Sequence, residues 1–386
     1  MWGLTPTGVR PHVYLFTWER SMKSLKMCMM CLWGVWMMAM GQAQAAGGPA
    51  DFPNFQEGRF VIHDFTFRSG EILPQLTIGY TTIGQPQKNH KGEITNAILL
   101  LHGTSGTANS WFLPSLSSAL YGAGQPFDAQ RYYLIIPDGI GLGRSSKPSD
   151  GLRAKFPHYG YHDMVDAAVH LVRDGLHVNH LKAVVGTSMG GMQTWLFAER
   201  YPDFMDGAIA VASTPMAVSG RNMMWRQLLI HSIRAASDWQ GGEYIESPEE
   251  FQRVWPLFGI MTDGAAHLQA IAPTRDKAIA QYDILASNAR PLDANDMLYR
   301  FEASADYNPQ PDLEKITVPF LAINFQDDVL NPVELGVLEQ EMPRVRHGKF
   351  LILSGGSQSL GHQNLSQGKL WGPAAAEFLS QLPDKS

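Results

Sequence analysis

The chain has 386 residues, of which 45% are apolar and 17% are charged, and its formal net charge at neutral pH is −6. This composition is globular, which excludes a disordered or collagen-like chain, and at about 150 residues per domain it fits one large domain or two ordinary ones. Because a weakly acidic chain without a basic stripe is a poor match to polyanions, we expect no nucleic-acid partner.

The first 45 residues predict a secretory signal peptide. Lys23 and Lys26 precede an apolar run over residues 27–40, and Ala43-Gln44-Ala45 then supplies an A-x-A cleavage pattern. The apolar run is shorter than the roughly 20 residues that span a bilayer. We therefore expect a periplasmic or secreted protein with no stable membrane insertion after cleavage, and an uncleaved N-terminal anchor is the alternative.

Both cysteines of the chain, Cys28 and Cys31, lie inside this apolar run. Their C-x-x-C spacing is that of a redox motif in other contexts, but here we expect them to be removed with the signal. The mature chain then has no thiol, which excludes a disulfide, a thiolate metal site and a cysteine nucleophile. Translation starts at Met1 or at Met22, and the sequence leaves both starts open.

Short apolar runs alternate with amphipathic stretches along the rest of the chain. The runs predict buried strands at residues 97–101, 132–136, 183–185, 208–212, 320–325 and 350–353. Continuous apolar strands separated by helices are typical of a mostly parallel sheet that helices cover on both faces. The predicted fold class is therefore α/β.

The alternation breaks over residues 216–296, where the pattern is mostly helical. We interpret this segment as a helical lid insertion over the carboxyl edge of the sheet, where ligands bind in α/β folds. It divides an α/β core into a first part, residues 46–215, and a second part, residues 297–386. Its aromatic side chains either contact an apolar substrate or pack the core of the insertion itself, and packing is the favoured interpretation for most of them.

The strongest motif is Gly186-Thr187-Ser188-Met189-Gly190, which follows a predicted strand and precedes a helical pattern. A G-x-S-x-G sequence in that context is typical of a nucleophile elbow, where the serine lies on a strained turn with its hydroxyl exposed. The turn also places the serine at a helix N-terminus, whose dipole favours developing negative charge. We therefore predict that Ser188 is a catalytic nucleophile.

A serine hydroxyl needs a general base, and after an elbow of this kind the chain order is serine, acid, histidine. Asp327 and Asp328 follow the strand at 320–325, and Asp328 is preferred because it lies four residues before Pro332. His362, which follows the last predicted strand, is the predicted base that the carboxylate orients. Asp327 stays the alternative acid and is otherwise expected to be a solvated turn residue.

An oxyanion hole needs two backbone N–H donors. One is predicted from Met189, the residue after the nucleophile. The other is predicted from the loop His102-Gly103-Thr104-Ser105-Gly106, which follows an early strand, and Thr104 is the preferred donor.

Two further patterns predict neither a metal site nor a cofactor. His158 and His162 have a spacing of four, but no glutamate accompanies them and Gly160 interrupts the helix. The glycines of residues 139–143 do not match the G-x-G-x-x-G spacing of a dinucleotide site, because residue 144 is Arg. We interpret residues 138–146 as a tight loop after a strand.

Taken together, these residues resemble the homoserine O-acetyltransferase family of the α/β-hydrolase fold over about residues 55–380. The similar segments are residues 184–193, 239–244, 293–296 followed by Tyr299, and 328–332. The resemblance implies an α/β-hydrolase fold with a helical lid, a triad of Ser188, Asp328 and His362, and an oxyanion hole formed by Thr104 and Met189. It also implies a homodimer formed through the lid.

The chain departs from that family at three places. Gln363 follows the predicted base, where the acetyltransferases typically have Asp; the oxyanion loop reads His-Gly-Thr-Ser-Gly rather than His-Ala-Leu-Thr-Gly; and the lid arginine motif is not recognisable near residues 255–275. These changes argue against homoserine as the substrate and leave the predicted triad intact.

Two enzyme reactions and one non-enzyme role remain. In a serine esterase, water attacks the acyl-enzyme formed from a small-molecule ester or acyl substrate; in an O-acyltransferase, an alcohol attacks it. Because acetyl-CoA is a cytoplasmic metabolite, predicted export favours hydrolysis. A binding protein that has lost catalysis is expected to lack a member of the triad, and the sequence lacks none.

Overall fold

The computed structural model describes residues 52–383, so the predicted signal peptide at residues 1–45 and both cysteines lie outside the described residues. Eight strands form one sheet in this part of the chain. They are β1 Gln56–Thr66, β2 Ile72–Ile83, β3 Ala97–Leu101, β4 Tyr133–Pro137, β5 Ala183–Thr187, β6 Ala208–Val211, β7 Phe320–Phe325 and β8 Gly348–Leu353.

The strands lie in the order β1-β2-β4-β3-β5-β6-β7-β8. Strands β3 to β8 run parallel, whereas β1 pairs with β2, and β2 with β4, in antiparallel register. The six predicted strands are therefore confirmed to within two residues at every end. The antiparallel pair β1–β2 was not predicted.

The sheet has an apolar core on each face, as strand β3 illustrates. Ala97, Leu99 and Leu101 belong to one buried cluster, and Ile98 and Leu100 belong to the other. Side chains alternate across a strand, so a strand that is buried on both faces has no polar position. The predicted α/β fold with helices on both faces is confirmed.

Eleven α-helices accompany the sheet within residues 52–383. They are α1 Pro114–Leu120, α2 Tyr161–His170, α3 Met189–Arg200, α4 Gly220–Arg234, α5 Glu249–Val254, α6 Pro256–Thr262, α7 Ala265–Ile271, α8 Arg275–Ser287, α9 Ala294–Glu302, α10 Val337–Glu341 and α11 Gly368–Ser380. Helices α4 to α9 all lie between β6 and β7, in the segment where the sequence predicts an insertion. Residue 296, where that predicted segment ends, lies within α9. None of the helices in this range is long and apolar enough to cross a membrane.

The insertion has a core of its own. Trp225, Phe251, Trp255 and Phe301 are buried in a third apolar cluster, and Trp239 and Phe258 pack against it. These aromatic side chains therefore stabilise the insertion, as the packing interpretation expects.

Two segments that carry the family resemblance meet at the base of the insertion. The Trp239 indole N–H donates to Asn295 Oδ1 (2.9 Å), and Asn295 Nδ2 donates to the Gly242 carbonyl oxygen (3.0 Å). The next residue, Asp296, accepts hydrogen bonds from the backbone N–H and the hydroxyl of Ser149 (2.9 and 2.7 Å). Burial raises the pKa of Asp296 to about 6, although the hydrogen bonds from Ser149 act to lower it. These contacts fasten α9 to the loop after β4.

Candidate active site

Ser188 lies on a sharp turn between β5 and α3. Its backbone has φ 54° and ψ −116°, a conformation that is strained for any residue with a Cβ. Its N–H donates to the carbonyl oxygen of Val211 on β6 (2.8 Å), which ties the turn to the neighbouring strand. This is the strand–turn–helix context that the G-x-S-x-G motif requires.

The glycines of the motif allow backbone segments to approach closely around Ser188. A Cβ on Gly186 would lie 2.0 Å from the carbonyl oxygen of Gly190, and a Cβ on Gly190 would lie 2.1 Å from that of Leu101. No side chain fits at such distances. The first helical turn of α3 can therefore lie directly on β3 and β5.

The three predicted triad side chains are brought together at the carboxyl edge of the sheet. Nε2 of His362 lies 2.8 Å from Oγ of Ser188, and Nδ1 of His362 lies 2.7 Å from Oδ2 of Asp328. Because a carboxylate only accepts hydrogen bonds, Nδ1 carries the hydrogen and Nε2 is free to accept the serine proton. Asp328 and His362 are 1% and 4% exposed, so water is largely excluded from the pair.

Asp328 is held as a carboxylate by several donors. Oδ1 accepts from the backbone N–H of Leu330 (2.8 Å), and Oδ2 accepts from Nδ2 of Asn331 (2.9 Å) as well as from the imidazole. Burial raises the pKa of Asp328, but the charge and hydrogen bond of His362, with these amide donors, outweigh it and leave the pKa below its usual value. The residue therefore stays ionised and can stabilise an imidazolium.

The two predicted oxyanion donors border the nucleophile. Met189 is the first residue of α3, so its N–H has no partner inside the helix. Thr104 is 5% exposed and lines the cavity at Ser188, and a Cβ on the preceding Gly103 would lie 3.4 Å from Cβ of Ser188. Both residues thus lie beside the serine.

His102 fixes the loop that carries Thr104. Its Nδ1 donates to the carbonyl oxygen of Gly103 (2.9 Å), and its Nε2 accepts from the N–H of Gly139 after β4 (3.1 Å). This pair of bonds requires the neutral imidazole, and burial lowers the pKa of His102 accordingly. The loop conformation is therefore held by a side chain that does not itself reach the nucleophile.

Asp327, the alternative acid, has a different role from Asp328. It is exposed, and its Oδ1 accepts from the hydroxyl of Ser359 (2.6 Å) rather than from His362. Asn364 Nδ2 in turn donates to the Ser359 hydroxyl (2.6 Å). Asp327 is thus more than a solvated turn residue, since it anchors the loop that carries His362 to the end of β7.

The insertion contacts the same loop from the other side. Gly264, in the turn between α6 and α7, lies so close that an added Cβ would be 2.8 Å from the backbone N of Gly361 and 2.8 Å from the carbonyl oxygen of Ser359. Gly361 immediately precedes His362. The contact is between backbones, so neither partner can yield by rotating a side chain.

Replacing Gly264 with alanine is expected to displace His362 and to lower kcat for ester hydrolysis by about 10²-fold, with a smaller change in KM. The φ of Gly264 is −78°, which alanine adopts freely, so the effect comes from the steric contact alone. Steady-state kinetics with a p-nitrophenyl ester and the rate of fluorophosphonate labelling would measure it.

Gly259→Ala in α6 is the matched control. Its added Cβ would meet Cδ2 of Leu285 at 2.8 Å, and the end of a leucine side chain can move. Alanine is also preferred over glycine in a helix interior, so we expect nearly wild-type activity and thermal stability. A Gly264→Ala protein with wild-type kcat would show that the lid contact does not position His362.

A cavity of about 140 Å³ opens at Ser188. Thr104 and Trp111 from the core line one part of it, and Trp225, Phe258 and Thr262 from the insertion line another. Trp225 and Phe258 therefore border the cavity as well as packing the core of the insertion.

Arg226 on α4 is a cavity residue that the sequence analysis missed. It is 3% exposed, its Nε donates to Oδ1 of Asn222 (2.9 Å), and its Nη1 makes no hydrogen bond to any residue within 52–383. No local signal in the sequence marks Arg226, because α4 carries other charged and polar side chains, among them Arg221, Gln227 and Arg234.

The residues of the other predicted patterns do not line the cavity at Ser188. The ring of His158 stacks on that of Tyr299, with 5.0 Å between the ring centroids. Burial, and to a lesser extent the positive charges of Arg68 and Arg200, lowers the pKa of His162 to about 4. In the described range, no group of three His, Cys, Asp or Glu side chains is arranged to hold a metal ion. Residues 138–146 form a tight loop in which Asp138 accepts from the N–H of Ala108 (2.7 Å).

Comparison with known proteins identifies the family of this chain. The model of the alpha/beta hydrolase fold matches residues 96–353. The chain belongs to this family. Among its relatives is the homoserine O-acetyltransferase of Methanosphaera stadtmanae, which is 33% identical over an alignment of 208 positions. The alignment covers 48% of this chain and 40% of that one. The match thus spans less than half of that relative's length.

Solved structures of other α/β hydrolases have the same fold. An acetylester hydrolase from Corynebacterium glutamicum has a TM-score of 0.72 at 22% identity, covering 84% of this chain and 96% of its own. The homoserine O-acetyltransferase from Bacillus anthracis has a TM-score of 0.73 at 20% identity, covering 86% and 99%. At these identities the likeness shows the fold alone. With the relatives above, the predicted resemblance to homoserine O-acetyltransferases is confirmed, and the proteins that the chain resembles include both acyltransferases and ester hydrolases.

Proposed function

We propose that this α/β hydrolase is an exported serine esterase that acts through an acyl-enzyme. The observation that carries the proposal is the chain of short contacts from Ser188 through His362 to Asp328. Ser188 attacks the ester carbonyl while His362 takes its proton; the tetrahedral oxyanion lies against the N–H groups of Thr104 and Met189; and His362 then protonates the leaving alcohol. Water, activated by the same imidazole, releases the acid.

Two features support water rather than an alcohol as the second nucleophile. Gln363, which lines the cavity, is neutral where the acetyltransferases typically have an aspartate, so the cavity lacks that charge. The predicted signal peptide, whose residues lie outside the described range, would place the enzyme where acetyl-CoA is absent. Export and a homodimer through the lid stay predictions.

Acyl transfer to an alcohol is the second candidate, and Arg226 favours it. A buried guanidinium with a free Nη1 beside the nucleophile is suited to hold a carboxylate on an acceptor such as homoserine or serine. The curated relatives named homoserine O-acetyltransferase fit the same reaction.

The two reactions are separated by following the acyl group. The protein is incubated with p-nitrophenyl acetate, with and without homoserine, serine or ethanol at millimolar concentration, and acetate and O-acetyl products are quantified by mass spectrometry. Hydrolysis predicts that acetate equals nitrophenol with every acceptor and that no acceptor-dependent ester forms.

An acceptor that speeds nitrophenol release and receives most of the acetyl group would overturn hydrolysis in favour of transfer. Arg226→Gln then sharpens the result. If Arg226 holds an acceptor carboxylate, this change raises the KM for homoserine and leaves the KM for ethanol unaltered. If the enzyme is an esterase, neither acceptor matters in either protein.

A further inference from the structure

Two cavities lie one helical turn apart along both α3 and α4. The catalytic cavity, about 140 Å³, is bordered by Ser188 and by Arg226. A second cavity, about 240 Å³, is bordered by Met192, four residues further along α3, and by Asn222, four residues earlier on α4. A helical turn has 3.6 residues and rises 5.4 Å, so the cavities are close neighbours.

Leu330 lines both cavities and is 8% exposed. Its backbone is fixed on both sides, because its N–H donates to Oδ1 of Asp328 (2.8 Å) and its carbonyl oxygen accepts from Nδ2 of Asn222 (3.4 Å). Shortening the side chain leaves both of these backbone groups in place. Leu330 therefore separates the two cavities with a fixed backbone and an isobutyl side chain, and only the side chain can be removed by substitution.

The second cavity is suited to a hydrocarbon chain. Its wall includes Met216, Ala217, Val218 and Val337, and its charged residues, Arg221 and Glu334, are exposed and can keep their charges in water. The catalytic cavity alone is smaller than the roughly 300 Å³ at which binding pockets for drug-sized ligands begin. It therefore fits a short acyl group and little more.

We propose that Leu330 is a specificity-determining residue. Its side chain restricts the enzyme to short acyl groups by closing the catalytic cavity against a second, mostly apolar cavity, which accommodates a longer unbranched acyl chain when the side chain is shortened. This inference rests on the proposed function, since it assumes an acyl-enzyme on Ser188. The natural substrates are then esters of short acids.

The test is the dependence of kcat/KM on acyl length, measured with p-nitrophenyl esters from acetate to octanoate. The wild-type enzyme is expected to prefer acetate or propionate. Leu330→Ala should raise the octanoate-to-acetate ratio of kcat/KM at least about tenfold, since each methylene accepted by an apolar pocket is worth about that factor or more. Leu330→Val, a smaller change, should give an intermediate ratio.

Ala217→Phe provides the control, because Ala217 borders the second cavity and not the catalytic one. Alone it should leave the wild-type profile unchanged; combined with Leu330→Ala it should cancel the gain. The proposal is overturned by an unchanged octanoate-to-acetate ratio in both Leu330 variants, or by a gain that survives in the double variant. Acetate esters of long alcohols are measured as well, and a gain in kcat/KM that is confined to these substrates would also overturn it. Absence of all Ser188-dependent ester turnover in the wild type would instead overturn the proposed function, and this inference with it.

Discussion

Ser188→Ala is expected to lower kcat for ester hydrolysis by roughly 10⁵- to 10⁶-fold and to abolish labelling by a fluorophosphonate probe. The reason is that, among residues 52–383, His362 has no other hydroxyl within hydrogen-bond distance on which to act as a base. Removal of a triad nucleophile costs factors of this size in serine hydrolases. What remains would come from the oxyanion hole and substrate binding. Burst kinetics and mass spectrometry of the labelled peptide would measure both effects.

Ser213→Ala is a matched control for this prediction. Ser213 is a fully buried serine near the same elbow, and its hydroxyl has no hydrogen-bond partner among residues 52–383. It does not line the catalytic cavity, so the variant should keep both turnover and labelling. A Ser188→Ala protein that still formed the covalent adduct would place the nucleophile elsewhere and remove the basis of the mechanism.

The parallel part of the sheet was predictable because burial on both faces leaves a direct trace in the sequence. Strand β7, for example, has six consecutive buried residues, Phe320–Phe325, and its predicted bounds agree with the structure. Strand β1 lies at the edge of the sheet and exposes Arg59 and His63, so it has no continuous apolar run. A search for such runs could not find it.

The residues of the candidate site also differ in how far the sequence alone predicts them. Ser188 is marked by local backbone requirements, since the glycines around it are needed at fixed positions in the turn. Arg226 and Gly264 have no such local signature. Their proximity to the nucleophile and to the loop of His362 depends on how the insertion folds over the sheet, and residues far apart in sequence create it.

Asp328→Asn is expected to lower kcat by about 10⁴-fold with little change in KM. An asparagine amide facing Nδ1 can donate a hydrogen bond to it, which favours the tautomer with the hydrogen on Nε2 and leaves the base unable to accept the serine proton. The uncharged amide also fails to stabilise the imidazolium that forms in the transition state. Kinetics with p-nitrophenyl acetate, with circular dichroism to verify folding, would test this.

Asp327→Asn distinguishes the two adjacent acids. Asp327 contacts Ser359 and not the imidazole, and an asparagine oxygen can still accept that hydroxyl, so the loss of kcat should be at most about tenfold. The losses of kcat in the two variants should therefore differ by about three orders of magnitude. Both carboxylates lie on the same turn, so the difference comes from which side chain each carboxylate contacts. Equal losses in the two variants would mean that the turn as a whole, rather than the carboxylate bonded to His362, sets the rate.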